Sequence, residues 1–357
     1  MKHLFQTLQI GDLSLPNRII MAPLTRCRAS EGRLPNAMMA EYYAQRAGAG
    51  LILSEAVAVT AMGVGYPDTP GIWNEEQTDA WRQVTEAVHE KGGRIFMQLW
   101  HVGRISHPVY LHGKDPVAPS AVRPRGFVSR LRPRQPFVTP RALETAEVRG
   151  TVEAYRKGAE NAKAAGFDGV EIHGANGYLP DQFLQDSTNL RTDEYGGSLE
   201  NRARFMLEIT DAAISVWGAG RVGMHLAPRC DSHDMGDSDP KRTFSYLASE
   251  LGKRGIAFIF TREHFQGPVL TPHLKKSFGG PVFANEQFDA ASAEQVLAEG
   301  HADAVSFGKD FISNPDLPER FRQAAALQPY DKETFYSGGP RGYTDYPSLF
   351  PGTASEQ

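Results

Sequence analysis

The sequence predicts an α/β fold, a (β/α)8 TIM barrel. Three observations predict it: eight short β-branched apolar runs, longer helical patterns between them, and polar residues gathered where the runs end. In chain order the runs are "RIIMAPL", "GLILSEA", "RIFMQLW", "GVEIHGA", "VGMHLAP", "AFIFTRE", "PVFANE" and "AVSFG". Helical patterns cover Glu75–Lys91, Thr145–Ala165, Leu199–Trp217, Pro240–Arg254 and Ala290–Glu299, several of them entered through a glycine-bounded turn. Strand–helix alternation implies a parallel sheet, because parallel neighbours need a crossover connection. Eight units imply a closed barrel; an open doubly wound sheet is the alternative that alternation alone leaves.

Composition narrows the function. The chain has 357 residues, 41% of them hydrophobic, enough for a large core. Its 38 basic and 42 acidic residues give a net charge of −4 with no basic stripe, so nucleic acid is not an expected partner. Two cysteines, Cys27 and Cys230, make no disulfide framework and fit a reducing compartment. "MKHLFQTLQI" is too polar for a signal segment, and "AGLILSEAVAV" is broken by Ser54 and Glu55. A cytoplasmic protein without a membrane span is expected.

Two segments depart from the plain repeat. Residues 101–144, after the third run, are rich in Pro and Arg and too long for an ordinary connection. On a barrel they would leave from the C-terminal rim and form a lid over the mouth. Arg123, Arg125, Arg130, Arg132 and Arg134 lie in this segment, either to meet a nicotinamide phosphate or as a solvated face. The C-terminal tyrosines suggest docking as far as Leu349, so the domain is expected over 1–349, with 350–357 frayed.

Barrel chemistry sits where strands end. The runs end, in order, on Thr25; Ser54 and Glu55; Gln98 and Trp100; His173 and Asn176; His225; Thr261 and Arg262; Asn285; and Gly308 with Lys309. Such a ring of polar groups with few formal charges suits a flat heteroaromatic cofactor better than a bare metal ion. The eighth run passes through Gly308 into a helix start, where backbone N–H groups and Lys309 would face a phosphate. In "VEIHGANGYLPDQF", His173, Asn176 and Tyr178 follow within a few residues of one strand. Each could merely satisfy buried backbone carbonyls.

The strings "NRIIMAPLTR", "MAEYYAQRA", "QLWHVGRISH", "HGANGYLPDQFLQDSTNLRTDEYGGSLENRARF", "FISNPDLPERF" and "GYTDYP" resemble the Old Yellow Enzyme family of FMN-dependent ene-reductases. Within it the chain is most similar to bacterial xenobiotic reductases, which act on nitrate esters and nitroaromatics. Thr25 stands where a separate, thermophilic-like branch has cysteine. The resemblance implies non-covalent FMN at the barrel mouth, reduction by NADPH or NADH, and ping-pong transfer to electron-poor alkenes or nitro compounds. It implies that Thr25 donates to flavin O4, that Pro23 and Ala56 line the ring, and that Gln98 meets the pyrimidine edge. Gly308 and Lys309 grip the phosphate, Asn285 joins the cofactor residues, and Trp100, Tyr66 and Tyr336 shape the substrate pocket. His173 and Asn176 would hold the substrate's acceptor oxygen, and Tyr178 would deliver a proton.

Two positions depart from the family pattern. Members often read "RLSP" or "RLTP" in the fifth strand, where the arginine supports the flavin; this chain reads "HLAP", with His225. His225 is expected to bond the pyrimidine, as a cation only if protonated, with Arg229 as a weaker substitute. Lys309 keeps the charge of the usual arginine but loses its fork. The loop "TREHFQGPVLTPH" also matches the family poorly. Two rival readings stay open: a metal-dependent barrel lyase or hydrolase using His225, Cys230, Asp231, His233, Asp234 and Asp237, and a flavin-binding protein without turnover.

Overall fold

The computed structural model describes residues 1–229, 232–264 and 269–349. Its centre is a closed barrel of eight parallel strands in sequence order. They are β1 (Ile19–Met21), β2 (Leu51–Ala58), β3 (Ile95–Trp100), β4 (Gly169–His173), β5 (Val222–Leu226), β6 (Phe258–Arg262), β7 (Val282–Asn285) and β8 (Ala304–Phe307). β8 returns to β1 through Val305 opposite Ile19, and β5 meets β6 through Phe260 opposite His225. The closed barrel, not the open sheet, is therefore the architecture.

Parallel strands buried on both faces read as near-continuous apolar runs, which is why the eight segments stand out in the sequence. The helices match the expected patterns to within a residue: Glu75–Glu90, Thr145–Ala164, Leu199–Trp217, Pro240–Arg254 and Ala290–Ala298. Side-chain caps set most of their starts. Asn74, Ser198, Asp239 and Asp289 each accept a backbone N–H from the first turn, satisfying a donor the helix cannot.

The bottom of the barrel is plugged. A hairpin of Leu8–Ile10 and Leu13–Leu15 drives Ile10 and Leu15 into a cluster with Leu51, Phe96, Phe258 and Phe283. Inside, small residues face large ones: a Cβ on Gly223 would sit 2.2 Å from the Phe258 ring. The closed floor leaves the C-terminal mouth as the open end.

Residues 101–144 follow β3 largely as loops. Val117–Ala118 pairs with Arg141–Ala142 at their base. The buried Arg104 ties them down by donating to the carbonyls of Val122, His233 and Asp234. Val128 and Phe137 pack with Tyr66, Trp100 and Tyr178.

A second clasp holds the C-terminal segment. Arg26 and Arg28 donate to the carbonyls of Thr334, Phe335, Gly339, Arg341 and Gly342. Tyr42 and Tyr343 stack at 4.0 Å, and Leu349 N–H bonds Asp316. Residues 350–357, expected to fray, lie outside the described residues. No described helix is long and apolar enough to cross a membrane.

Candidate active site

A cavity of about 640 Å³ opens at the C-terminal mouth. Of the residues picked out from the sequence, Pro23, Thr25, Asn176, His225, Asn285, Gly308, Lys309 and Tyr336 line it. Ala56, Gln98, Trp100, His173, Tyr178 and Tyr66 are not in its wall. They form the adjoining layer, reached through His225, whose ring stacks on His173 at 4.9 Å and 9°. Strand register explains the contact: His173 and His225 are paired in register near the C-terminal ends of neighbouring strands.

The hydrogen bonds assign the His225 tautomer. Gln98 Nε2 donates to Glu171 at 2.7 Å and meets His225 Nδ1 at 3.2 Å. An amide nitrogen only donates, so Nδ1 accepts and the ring proton sits on Nε2. That Nε2 is buried and has no protein partner, as does His173 Nδ1. Buried polar atoms are normally paired, and these two, on and beside the cavity wall, are placed to meet a polar guest. A flat guest with acceptors on one edge and an anionic tail toward Gly308 and Lys309 fits this lining. FMN has that shape, with an isoalloxazine and a phosphate.

Both imidazoles are neutral. Burial, with Arg262 and His233 adding to it, lowers the His173 pKa to about 3. Burial, then the His173 and Arg262 charges, hold His225 well below its ordinary value. His225 is therefore a donor rather than the cation considered from the sequence. Arg229 does not replace it, since it lies 3.7 Å from Glu263 and outside the cavity wall. Arg262 does line the cavity, beside Glu286 at 2.9 Å. Its position at a strand end was visible in the sequence, but nothing there gave it a role. We expect the rate of substrate reduction to show no inflection near pH 6.5, the ordinary imidazole range. A pH–rate profile from pH 5.5 to 8 checks this.

Asn176 leaves β4 with φ 60°, and Gly177 follows at φ 75°. Asparagine tolerates this left-handed conformation. At Gly177 a Cβ would lie 2.6 Å from Met235. The paired left-handed residues turn the chain sharply, bringing Asn176 to the cavity and Tyr178 to the aromatic layer. Tyr178 Oη lies 2.9 Å from Tyr66 Oη. Its ring meets Trp100 at 5.1 Å and His173 at 4.9 Å. Burial, then the neighbouring Tyr66, raise the Tyr178 pKa well above its usual value, so the phenol keeps its proton. Arg130 lies over the Tyr336 ring at 3.6 Å, joining residues 101–144 to the cavity wall.

Beneath this layer, burial raises the Glu171 carboxyl to a pKa of about 8, against the opposing hydrogen bond from Gln98. The folded state thus holds a proton that the unfolded chain releases near pH 4.5. The resulting stability is present below that value and lost as pH rises toward 8. Glu171→Gln is expected to flatten this slope and stabilise the protein at pH 8 by roughly 1–3 kcal/mol, the cost of a poorly satisfied buried polar group. Chemical denaturation at pH 5 and pH 8 measures it.

The metal reading finds its described residues dispersed. His233 Nδ1 bonds the Asn176 carbonyl, Asp234 pairs with Arg125, and Asp237 pairs with Arg202. Cys230 and Asp231 lie outside the described residues, as does part of the loop after β6. Among the described residues no group of three or more His, Cys, Asp or Glu side chains could hold a metal ion.

Known proteins share this fold and much of this sequence. Morphinone reductase in complex with tetrahydroNAD superposes with a TM-score of 0.95 at 49% identity, covering 99% of each chain. The old yellow enzyme homologue from Zymomonas mobilis superposes at 0.94 with 44% identity, covering 96% of this chain and 99% of its own. 12-oxophytodienoate reductase 1 of Oryza sativa subsp. japonica is 42% identical over 355 residues, 96% of this chain and 92% of that protein. The NADH:flavin oxidoreductase / NADH oxidase family description matches residues 3–328. With this match across a barrel that carries the expected mouth, the chain belongs to the NADH:flavin oxidoreductase / NADH oxidase family, among the Old Yellow Enzyme homologues.

Proposed function

We propose that the protein is an FMN-dependent NAD(P)H oxidoreductase that reduces activated C=C bonds, as in enones and maleimides, and also nitrate esters and nitroaromatics. The observation that carries this reading is the stacked pair of neutral imidazoles, His225 on the cavity wall and His173 beside it, at a cavity that Gly308 and Lys309 also line. FMN, when bound, would supply the two-electron hydride chemistry that links NADPH or NADH to the guest. The protein's part is to bind, orient and protonate.

His225 Nε2 would meet the flavin pyrimidine, with Thr25, Pro23 and Asn285 around the ring. Ala56 and Gln98 would support it from the next layer. His173 and Asn176 would hold the guest's electron-withdrawing oxygen. As an alkene accepts hydride at its β-carbon, charge builds on that oxygen, and neutral donors already aimed there lower the barrier. Tyr178, held by Tyr66, then gives its proton to the α-carbon. For nitro and nitrate groups the same donors would hold the N–O oxygens. Trp100, Tyr66 and Tyr336 would bound the guest, and residues 101–144 would act as the lid of a single barrel domain over 1–349. The buried free thiol of Cys27 is in keeping with a reducing, cytoplasmic compartment.

The test is direct. Purified protein should be yellow, bleach under NADPH or NADH, and recover its colour with 2-cyclohexenone, with glyceryl trinitrate or with a nitroarene. Recovery with the enone alone would remove the nitro and nitrate-ester part. A yellow protein that never recovers would favour a flavin-binding protein without turnover. Lys309→Ala is expected to weaken FMN binding about tenfold, the equivalent of roughly 1.5 kcal/mol for a charge-assisted hydrogen bond. Fluorescence titration of apoprotein measures it, and equal affinity would remove Lys309 from the phosphate site.

A further inference from the structure

Arg262 ends β6 and reaches across the mouth in two directions. Its Nε donates to Glu286 Oε2 at 2.9 Å, and Nη1 donates to Asn176 Oδ1 at 2.8 Å. A guanidinium carries donors only. The atom it meets on Asn176 must therefore be the carbonyl oxygen, which leaves the amide nitrogen as the end available to a guest. Without that anchor the carboxamide could turn over and present its oxygen, which would repel an acceptor.

Resting on the functional reading above, we propose that Arg262 is the positioning residue of this site. Held by Glu286, it fixes the Asn176 carbonyl and so turns the amide N–H groups toward the guest's acceptor oxygen. It also sets a permanent positive charge beside two neutral imidazoles. The backbone supports the geometry, because Arg262 lies opposite Asn285, the residue before Glu286. The charge reaches the whole site: it lowers the pKa of His173, His225 and His233, and it opposes the upward shift of Tyr178. Glu286 is half-buried and meets the guanidinium at Nε, while Nη1 lies on Asn176.

The experiment uses the FMN-loaded protein and two readouts that need no turnover. The first is equilibrium binding of 2-cyclohexenone to the oxidised protein, followed by the flavin spectrum. The second is the flavin midpoint potential. Arg262→Gln and Asn176→Ala should each weaken enone binding about tenfold, and the double variant should bind no more weakly than Asn176→Ala alone, because both act through one amide. A reduced flavin is an anion at neutral pH, so Arg262→Gln should lower the potential by about 30 mV, a tenfold change for a two-electron couple. Asn176→Ala should leave the potential where it was.

Arg262→Lys keeps the charge without the fork. It should restore the potential and not the binding, and thermal melting of the same sample confirms that it folds. Additive binding losses, or an Arg262→Gln potential equal to wild type, would overturn the inference. A wild type that holds no flavin overturns the functional reading together with this one. A yellow wild type with additive losses overturns the role of Arg262 alone.

Discussion

His173→Ala is expected to slow alkene reduction by two to three orders of magnitude while leaving FMN bound. The size follows from removing one pre-aimed donor at a developing oxyanion, which costs about 2.7–4 kcal/mol in an acyl-transfer enzyme. The imidazole is neutral, held so by burial and by Arg262, so what is lost is a hydrogen bond and not a charge. The cofactor contacts proposed for His225, Thr25 and Lys309 are untouched by this change, and that separates this variant from one that loses flavin. His173→Asn keeps a donor and should recover part of the rate. Stopped-flow reoxidation of the reduced protein by 2-cyclohexenone provides the measurement. A loss below threefold would show that His173 does not touch the reacting oxygen.

The largest expected effect on stability is at Arg46. Its guanidinium is wholly buried, yet among the described residues no carboxylate pairs with it. It donates instead to the carbonyls of Tyr42, Phe311, Ile312 and Tyr343, and it lies 3.8 Å from the Tyr42 ring centroid. Burial lowers its pKa to about 10, so it stays charged at neutral pH. Phe311 and Ile312 belong to Lys309–Ser313, a helix too short to satisfy its own carbonyls. Arg46→Met fills much of the volume but leaves those oxygens without donors.

At about 1–3 kcal/mol for each stranded group, the Arg46→Met loss should be about 4 kcal/mol by chemical denaturation. Replacing a buried ion pair by apolar residues is often neutral, but here the acceptors are backbone and cannot be removed. FMN affinity should fall with stability, since the same short helix starts at Lys309. A variant as stable as wild type would show that water takes over these carbonyls.

The barrel strands and most of the barrel helices were legible because their signals are local: buried runs, side-chain caps and helical spacing. The hairpin that plugs the floor was not, because three-residue strands carry no periodicity, and only the packing of Ile10 and Leu15 identifies them. The same division holds at the site. Thr25, Asn176, His225 and Lys309 were found as strand ends, and strand ends in a barrel share one rim. The split between cavity wall and adjoining layer was not found, since it depends on which way each side chain turns. His225 could not be assigned as neutral from the sequence, because Gln98, His173 and Arg262 reach it from three other strands. Arg262 had no role there because its partners, Asn176 and Glu286, lie 86 and 24 positions away.

The C-terminal clasp has a consequence for how the protein is made. Tyr330, Phe335 and Tyr336 supply one wall of the cavity, and Arg26 and Arg28, near the other end of the chain, hold that wall in place. A ribosome that has translated all eight strands has therefore still not produced a complete pocket. If the proposed coenzyme needs that wall, nascent chains stalled before residue 343 should be released colourless.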